Sequence, residues 1–399
     1  MVGMTPNARG MVRRLEPYRS ELLWAALVAL VYSTLTLAVA TTAAPAIGRG
    51  MTLAIHLTQG RLDLGGPAAA TDTVTIGGST YWVVGLLTFL PYLPFAPFPG
   101  LWVAAGWIVP ALFGIAAAWF MLPLARRYGP GGTTTWWLAI LGAFGTLLFN
   151  QATRGNPYYL AQAEAMLFTV IALVEWQGRR RAWLVGAAIG LAGLARPTVL
   201  LAVIPFALAL AWDGPGARRR LVAFGSPLIL TVALAGLYDA ARFGSPLETG
   251  YGISVLSSTL EKARAQGLFS LRHVPQNLWL LVFNGFGYEA HLPFLVPDPN
   301  GHSVLLTSPA LLAAIGAGVR SRLAGVLWAS AGLITLVLLL YYGGEGWVTY
   351  GDRYFLDATP FLLALVALAA RRRFGALERL LILLSVAFVS YGFIWILAH

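Results

Sequence analysis

The sequence predicts an all-α polytopic membrane protein, and three observations carry that class. Only 11% of the residues are charged and 58% are hydrophobic, whereas a soluble domain carries about 25% charged residues. Apolar runs of the ~20 residues needed to cross a ~30 Å hydrocarbon core recur along the chain. Between those runs the basic residues stand in short clusters: Arg13-Arg14, Arg126-Arg127, the arginines of 179–181 and 218–220, Arg320 with Arg322, and those of 371–373.

Loops rich in basic residues stay on the cytoplasmic side and face anionic headgroups. The net charge of +11 therefore reads as a topology signal, and no nucleic-acid partner is expected. The absence of cysteine excludes disulfides, thiol catalysis and thiolate metal sites. Lys262 is the single lysine, which suggests a GC-rich bacterial genome and hence a bacterial inner membrane.

With the clusters placed inside, the helices follow in order. The apolar run 22–40 is longer than the 7–15-residue core of a cleavable signal peptide, so the first helix, 21–42, is read as retained. The first outer loop follows. The stretch 51–59 within it reads as an amphipathic surface helix. The apolar stretch 81–98 holds Pro91, Pro94 and Pro97, with Pro99 just beyond. Proline removes a backbone donor and clashes with the preceding turn, so this stretch is read as a re-entrant or interfacial segment shielded by protein.

Crossings follow over 101–124, 134–149 and 159–176. Two short pieces, 182–195 and 198–212, hinge at Arg196-Pro197; at 1.5 Å per residue, about 14 residues reach only ~20 Å. Helix 221–241 leads to a second outer loop, 242–303, in which 278–286 reads as an interfacial helix. The last helices are 304–319, 323–342, 354–370 and 377–397. This reading is a single integral membrane domain, 1–399, with about eleven transmembrane helices. Residues 43–100 form its first outer loop plus re-entrant segment. The N-terminus is cytoplasmic, the C-terminus outside, and every Arg cluster inside. A spanning 81–98 would push the later clusters outside.

In this topology Asp63, Asp72, Glu248, Glu261, Glu289, Asp298, Glu345 and Asp352 fall outside. Glu16, Glu175, Asp213 and Glu378 lie inside, where charge balance with the Arg clusters accounts for them. Asp63 and Asp72 are candidates for a general base, against the alternative of solvated acids or turn formers. Arg353 is an arginine at an outer boundary. It suits an anionic headgroup, or else an ion pair with Asp352 or an interface anchor. Arg196 has apolar flanks too short to reach water, and a buried membrane charge is a functional candidate. The alternative is that it caps helix carbonyls or pairs with Glu164 or Asp239. The five histidines lack metal-ligand spacing, so no metal or cofactor is expected. Walker, dinucleotide and nucleophile-elbow motifs are absent.

Four stretches carry a family resemblance. They are Gly60-Arg-Leu-Asp-Leu with Thr71-Asp72 and Gly77-Gly-Ser-Thr-Tyr81; Leu194-Ala-Arg-Pro-Thr198; Arg242-Phe-Gly-Ser-Pro-Leu-Glu-Thr-Gly-Tyr251; and Tyr350-Gly-Asp-Arg-Tyr-Phe355 leading into Asp357 and Pro360. With them the chain resembles, over nearly its full length, the GT-C membrane glycosyltransferases. That class includes the polyprenyl- or dolichyl-phosphate-sugar-dependent mannosyltransferases. The resemblance implies a cell-envelope enzyme that moves a sugar from a polyprenyl-phosphate donor to a lipid, glycan or protein acceptor on the outer face. It implies a loop aspartate as base, Asp72 first and Asp63 second. It also implies donor-phosphate binding by Arg353 and Arg196, and substrate binding by Tyr81, Glu248 and Tyr251. The adjacent Asp-Glu pair found after the first helix of some GT-C enzymes is absent from this sequence. The alternative function is a transporter or flippase of a lipid-linked sugar or other solute. It would need a polar path, for which only Glu164, Arg196 and Asp239 are candidates. The third reading is a scaffold without a site.

Overall fold

The computed structural model describes residues 19–44, 46–66, 70–291, 294–298, 301–344 and 350–398. Arg13-Arg14, Glu16, Glu345 and His399 lie outside them. The chain opens with α1 (Arg19–Thr42) and α2 (Arg49–Thr58), followed by a hairpin of β1 (Thr73–Ile76) and β2 (Ser79–Trp82). Three 3-10 turns, Leu86–Thr88, Leu90–Phe95 and Pro99–Leu101, lead into α3 (Trp102–Tyr128). Next come α4 (Thr133–Phe144), α5 (Leu148–Ala152), α6 (Pro157–Gln177) and α7 (Ala182–Ala195), then a 3-10 piece, Pro197–Ala202, running into α8 (Val203–Ala211) and α9 (Ala217–Phe243). The segment after α9 carries α10 (Ser258–Arg264), α11 (Val274–Leu278) and one π turn, Trp279–Phe283. The chain closes with α12 (Val304–Thr307), a 3-10 helix (Pro309–Ala317), α13 (Arg322–Leu340), a 3-10 turn (Arg353–Asp357), α14 (Thr359–Ala370) and α15 (Ala376–Ala398).

Among the described residues six helical stretches are long and apolar enough to cross a membrane: α1, Pro99–Tyr128, α6, α9, α13 and Ala376–Trp395. Of the roughly eleven expected crossings, these six form candidate spans, with shorter apolar helices between them. The reason lies largely in proline. Pro197, Pro309 and Pro360 each stand at the start of a helical piece, so the runs 304–319 and 354–370 divide instead of spanning as one rod.

The stretch 81–98 forms no long helix. It continues from β2 into the chain of 3-10 turns, with Pro94 inside one of them. The hairpin before it was expected only as loop. Gly77 and Gly78, both at positive φ, make its two-residue turn, the geometry that matches strand twist. Its register pairs Thr73 with Trp82 and Val74 with Tyr81. In place of the expected helix over 278–286, α11 and its π turn run from 274 to 283, and 284–286 are not helical.

Helix α6 lies at the centre, packed on α3 to one side and α7 to the other. Its most apolar window is 72% buried, against 22% for α1 and α9, so the latter two present their flanks to lipid. Between α7 and α9, Gly186 and Gly190 allow near-contact of backbones. A Cβ on Gly186 would come within 2.0 Å of the Phe224 carbonyl, and one on Gly190 within 2.3 Å of Thr231 Oγ1.

The described Arg clusters meet at one end of this bundle. Asp213 takes Arg180, Arg220 and Arg322, each at 3.6 Å. Glu175 pairs with Arg181 at 2.9 Å, and Arg126 with Glu21. Arg371 donates to the carbonyls of Arg127 and Gly129. The opposite end carries the hairpin and a cavity.

Candidate functional site

A cavity of about 320 Å3 opens among the hairpin, the first turn of α6, the α7–Pro197 junction, α13 and the turn 353–357. Four of the residues singled out from the sequence line it: Asp72, Arg196, Arg353 and Tyr251. Three do not. Asp63 is turned to Arg61, at 2.5 Å, and to the backbone N–H of Gly65 at 2.8 Å. The Arg61 guanidinium holds its carboxyl below the usual range, against the opposing effect of burial. Tyr81 stands on β2 with its ring against Phe243. Glu248 accepts from the Gly250 N–H at 2.7 Å, in the loop that presents Thr249 and Tyr251 to the cavity.

Asp72 is held by backbone and side chain together. It sits at φ +61°, a left-handed conformation that aspartate tolerates better than most residues. The turn around it is closed by the Thr73 N–H bonding the Ala70 carbonyl at 3.1 Å. Its own N–H donates to Val255 at 2.8 Å, and its carbonyl accepts from Val83 at 3.1 Å. Its Oδ2 accepts from the Tyr158 hydroxyl at 3.0 Å. Tyr158 is placed by the helix start: Asn156 caps α6 by accepting the Tyr158 N–H at 2.9 Å, with Pro157 in the first turn.

Arg196 is where α7 stops. The residue before a proline is driven into the extended region, and Arg196 lies at φ −141°, ψ 99°. Gly85 packs against this end so closely that a Cβ would fall 2.1 Å from the Leu194 carbonyl. Arg196 pairs with Asp357 at 3.0 Å, not with Glu164 or Asp239. Thr198 also donates to Asp357. Glu164 is fully buried with no hydrogen-bond partner for its carboxyl, and Asp239 pairs with Arg242.

Arg353 does not pair with Asp352, whose carboxylate caps the 353–357 turn by accepting the N–H groups of Tyr354 and Phe355. The Arg353 guanidinium lies 4.9 Å from the Tyr354 ring and 5.6 Å from Tyr159, and donates to the Tyr354 hydroxyl at 3.1 Å. Arg196 reaches the same Tyr354 ring at 4.7 Å. Two guanidiniums thus share one aromatic ring. Only Arg196 has a carboxylate partner among the described residues, and Arg353 Nε is buried without a bond.

The sequence reading did not assign roles to Tyr158, Asp357, Thr198 or Tyr354. Tyr158 was reachable from Asn156-Pro157, a helix-start signal at an outer boundary. Asp357 stood inside a quoted motif, but its partner is 161 residues away.

The fold and cavity define a polytopic α-helical membrane protein with an acid and two arginines gathered at one end. No family model and no curated protein matches the chain. Among solved structures the chain is similar to the crystal structure of ArnT from Cupriavidus metallidurans bound to undecaprenyl phosphate, at 14% identity and a TM-score of 0.45. The similarity covers 88% of this chain and 60% of ArnT, so the chain spans about three-fifths of that protein's length.

Proposed function

We propose that the chain is a GT-C-type glycosyltransferase of a bacterial inner membrane. It transfers a sugar, mannose being the first candidate, from a polyprenyl-phosphate donor to an acceptor hydroxyl on the outer face. The reading places the Arg-rich end of the bundle in the cytoplasm and counts the short broken helices as crossings, about eleven in all. One observation carries it: a single cavity holds Asp72 on one wall and, on another, Arg353 with no carboxylate partner among the described residues. A guanidinium without a carboxylate partner among the described residues, in a partly enclosed site, suits an anion, and its fork matches phosphate oxygens.

The chemistry then balances. The acceptor oxygen bonds to the anomeric carbon while the bond from that carbon to the phosphate oxygen breaks. The acceptor proton passes to Asp72, and the phosphodiester monoanion leaves as polyprenyl phosphate dianion. Arg353, with Arg196, offsets the charge that develops there. A leaving group of this kind needs no general acid.

Purified protein in nanodiscs, given polyprenyl phosphate carrying radiolabelled mannose and then a panel of other sugars, should form labelled product. Asp72→Asn should lower the rate about 10²–10⁴-fold. Transfer by Asp72→Asn at the wild-type rate would remove Asp72 from the role. Vesicle uptake of the donor without any transfer would favour a transporter instead.

A further inference from the structure

We propose that Tyr158, backed by Arg49 and Trp82, is a positioning residue that fixes Asp72 Oδ2 and leaves Oδ1 as the oxygen that takes the acceptor proton. The proposal rests on the reading of Asp72 as base. Its ground is the direction of three hydrogen bonds meeting at one hydroxyl. Trp82 Nε1 lies 2.9 Å from the Tyr158 oxygen, Arg49 Nη1 lies 3.0 Å from it, and Asp72 Oδ2 lies 3.0 Å from it. Indole and guanidinium nitrogens only donate, and a tyrosine hydroxyl has one proton and two acceptor lone pairs. Both lone pairs are taken by Trp82 and Arg49. The single proton must therefore point at Asp72.

The surroundings hold that geometry. Trp82 is fully buried, and its ring meets Tyr158 edge to face at 5.1 Å. Arg49, from the first turn of α2, is tied a second time to the Thr71 carbonyl at 2.8 Å, next to Asp72. Asp72 Oδ2 is thus a fixed acceptor, while Oδ1 takes no hydrogen bond from the described residues, and Asp72 lines the cavity. Two donors on the Tyr158 oxygen strengthen the bond it gives.

The test is the steady-state kinetics of sugar transfer by the full-length protein in nanodiscs, for wild type, Tyr158→Phe, Trp82→Phe and Asp72→Asn. Tyr158→Phe should lower kcat about tenfold, with the donor KM within twofold of wild type. Trp82→Phe removes one donor to the hydroxyl and should lower kcat by less, again without moving KM. It decides the matter if Tyr158→Phe does not fold. An unchanged kcat in the folded variants, with Asp72→Asn inactive, overturns the role of Tyr158 and leaves the base assignment standing. Wild-type transfer by Asp72→Asn overturns both.

Discussion

Arg196 and Asp357, 161 residues apart in the sequence, form one ion pair at 3.0 Å, with the Asp357 side chain wholly enclosed and that of Arg196 only 17% exposed. The pair ties the end of α7 to the turn that precedes α14. Thr198, the residue after Pro197, also donates to this carboxylate. This pair therefore fixes the wall from which both guanidiniums face the cavity.

Breaking one side of such a pair strands a buried charge, which costs about 3–5 kcal/mol. Arg196→Ala and Asp357→Ala should each lower the unfolding temperature of the detergent-solubilised protein strongly. The double variant Arg196→Met with Asp357→Leu should recover much of that loss. It should not recover transfer, because a charge beside Tyr354 is gone. Equal stability of the single and double variants would show that the pair is not coupled as its geometry states.

Arg353 should behave oppositely. No described carboxylate is left behind when it is removed, so Arg353→Ala should cost less stability than Arg196→Ala. Activity should suffer more clearly, with kcat/KM for the donor lower by about 10²–10³-fold, the scale of losing one donor to a developing anion. Arg353→Lys keeps the charge and loses the planar fork, so it should fall between. Steady-state kinetics beside thermal melts on the same preparations would check both halves. A melt lowered as far as that of Arg196→Ala would indicate a hidden counter-ion.

Much of this arrangement was legible in the sequence, and the parts that were not share a cause. The end of α7 at Arg196-Pro197 followed from a rule acting on adjacent residues. So did the proline-rich break at 81–98. The basic clusters that meet at Asp213 and Arg127 followed from composition between apolar runs. Asp357 and Tyr158 did not follow, because each matters through a contact 161 or 86 residues away. Local periodicity carries no such information. The same holds for Asp63 and Asp72, two loop acids nine positions apart. Arg61, two residues before Asp63, absorbs that carboxylate, while Asp72 finds Tyr158 across the fold. The crossings beyond the six long spans fall where proline divides a run without ending its apolar character, as at Pro309 and Pro360.

Asp352 makes stability fall as pH rises. Burial pushes its carboxyl up to about 6, against the opposing pull of the Phe355 and Tyr354 N–H groups. A folded pKa above the unfolded value of about 4 means that the folded state binds the proton more tightly. The favourable contribution is complete below about pH 4 and is lost as pH rises through about 6. Its size is roughly 1–3 kcal/mol. Asp352→Asn keeps a capping side chain without the charge, so its melting temperature should change less than wild type between pH 4 and 6. Asp63 does not blur the comparison: its lowered pKa places its effect at more acidic pH, where stability falls with acid. Identical pH slopes for variant and wild type would remove Asp352 from the account.

Arg242 offers the sharpest separation of scaffold from chemistry. It lies at the end of α9, 4% exposed, outside the cavity lining. Its guanidinium pairs with Asp239 and donates to the Trp82 carbonyl, both at 2.5 Å, while stacking 3.7 Å from the Tyr238 ring. Trp82 is the last residue of β2, and Val83 next to it binds the Asp72 carbonyl. Arg242→Ala leaves Asp239 half-buried and the strand end unpaired, so it should cost about 2–4 kcal/mol. It should also loosen the hairpin, raising amide hydrogen exchange over 73–83 ahead of the membrane helices. Transfer should fall through kcat, since the base is displaced while the arginines of the opposite wall stay in place. Exchange unchanged over 73–83, with activity lost, would mean that Arg242 reaches the reaction by some route other than the hairpin.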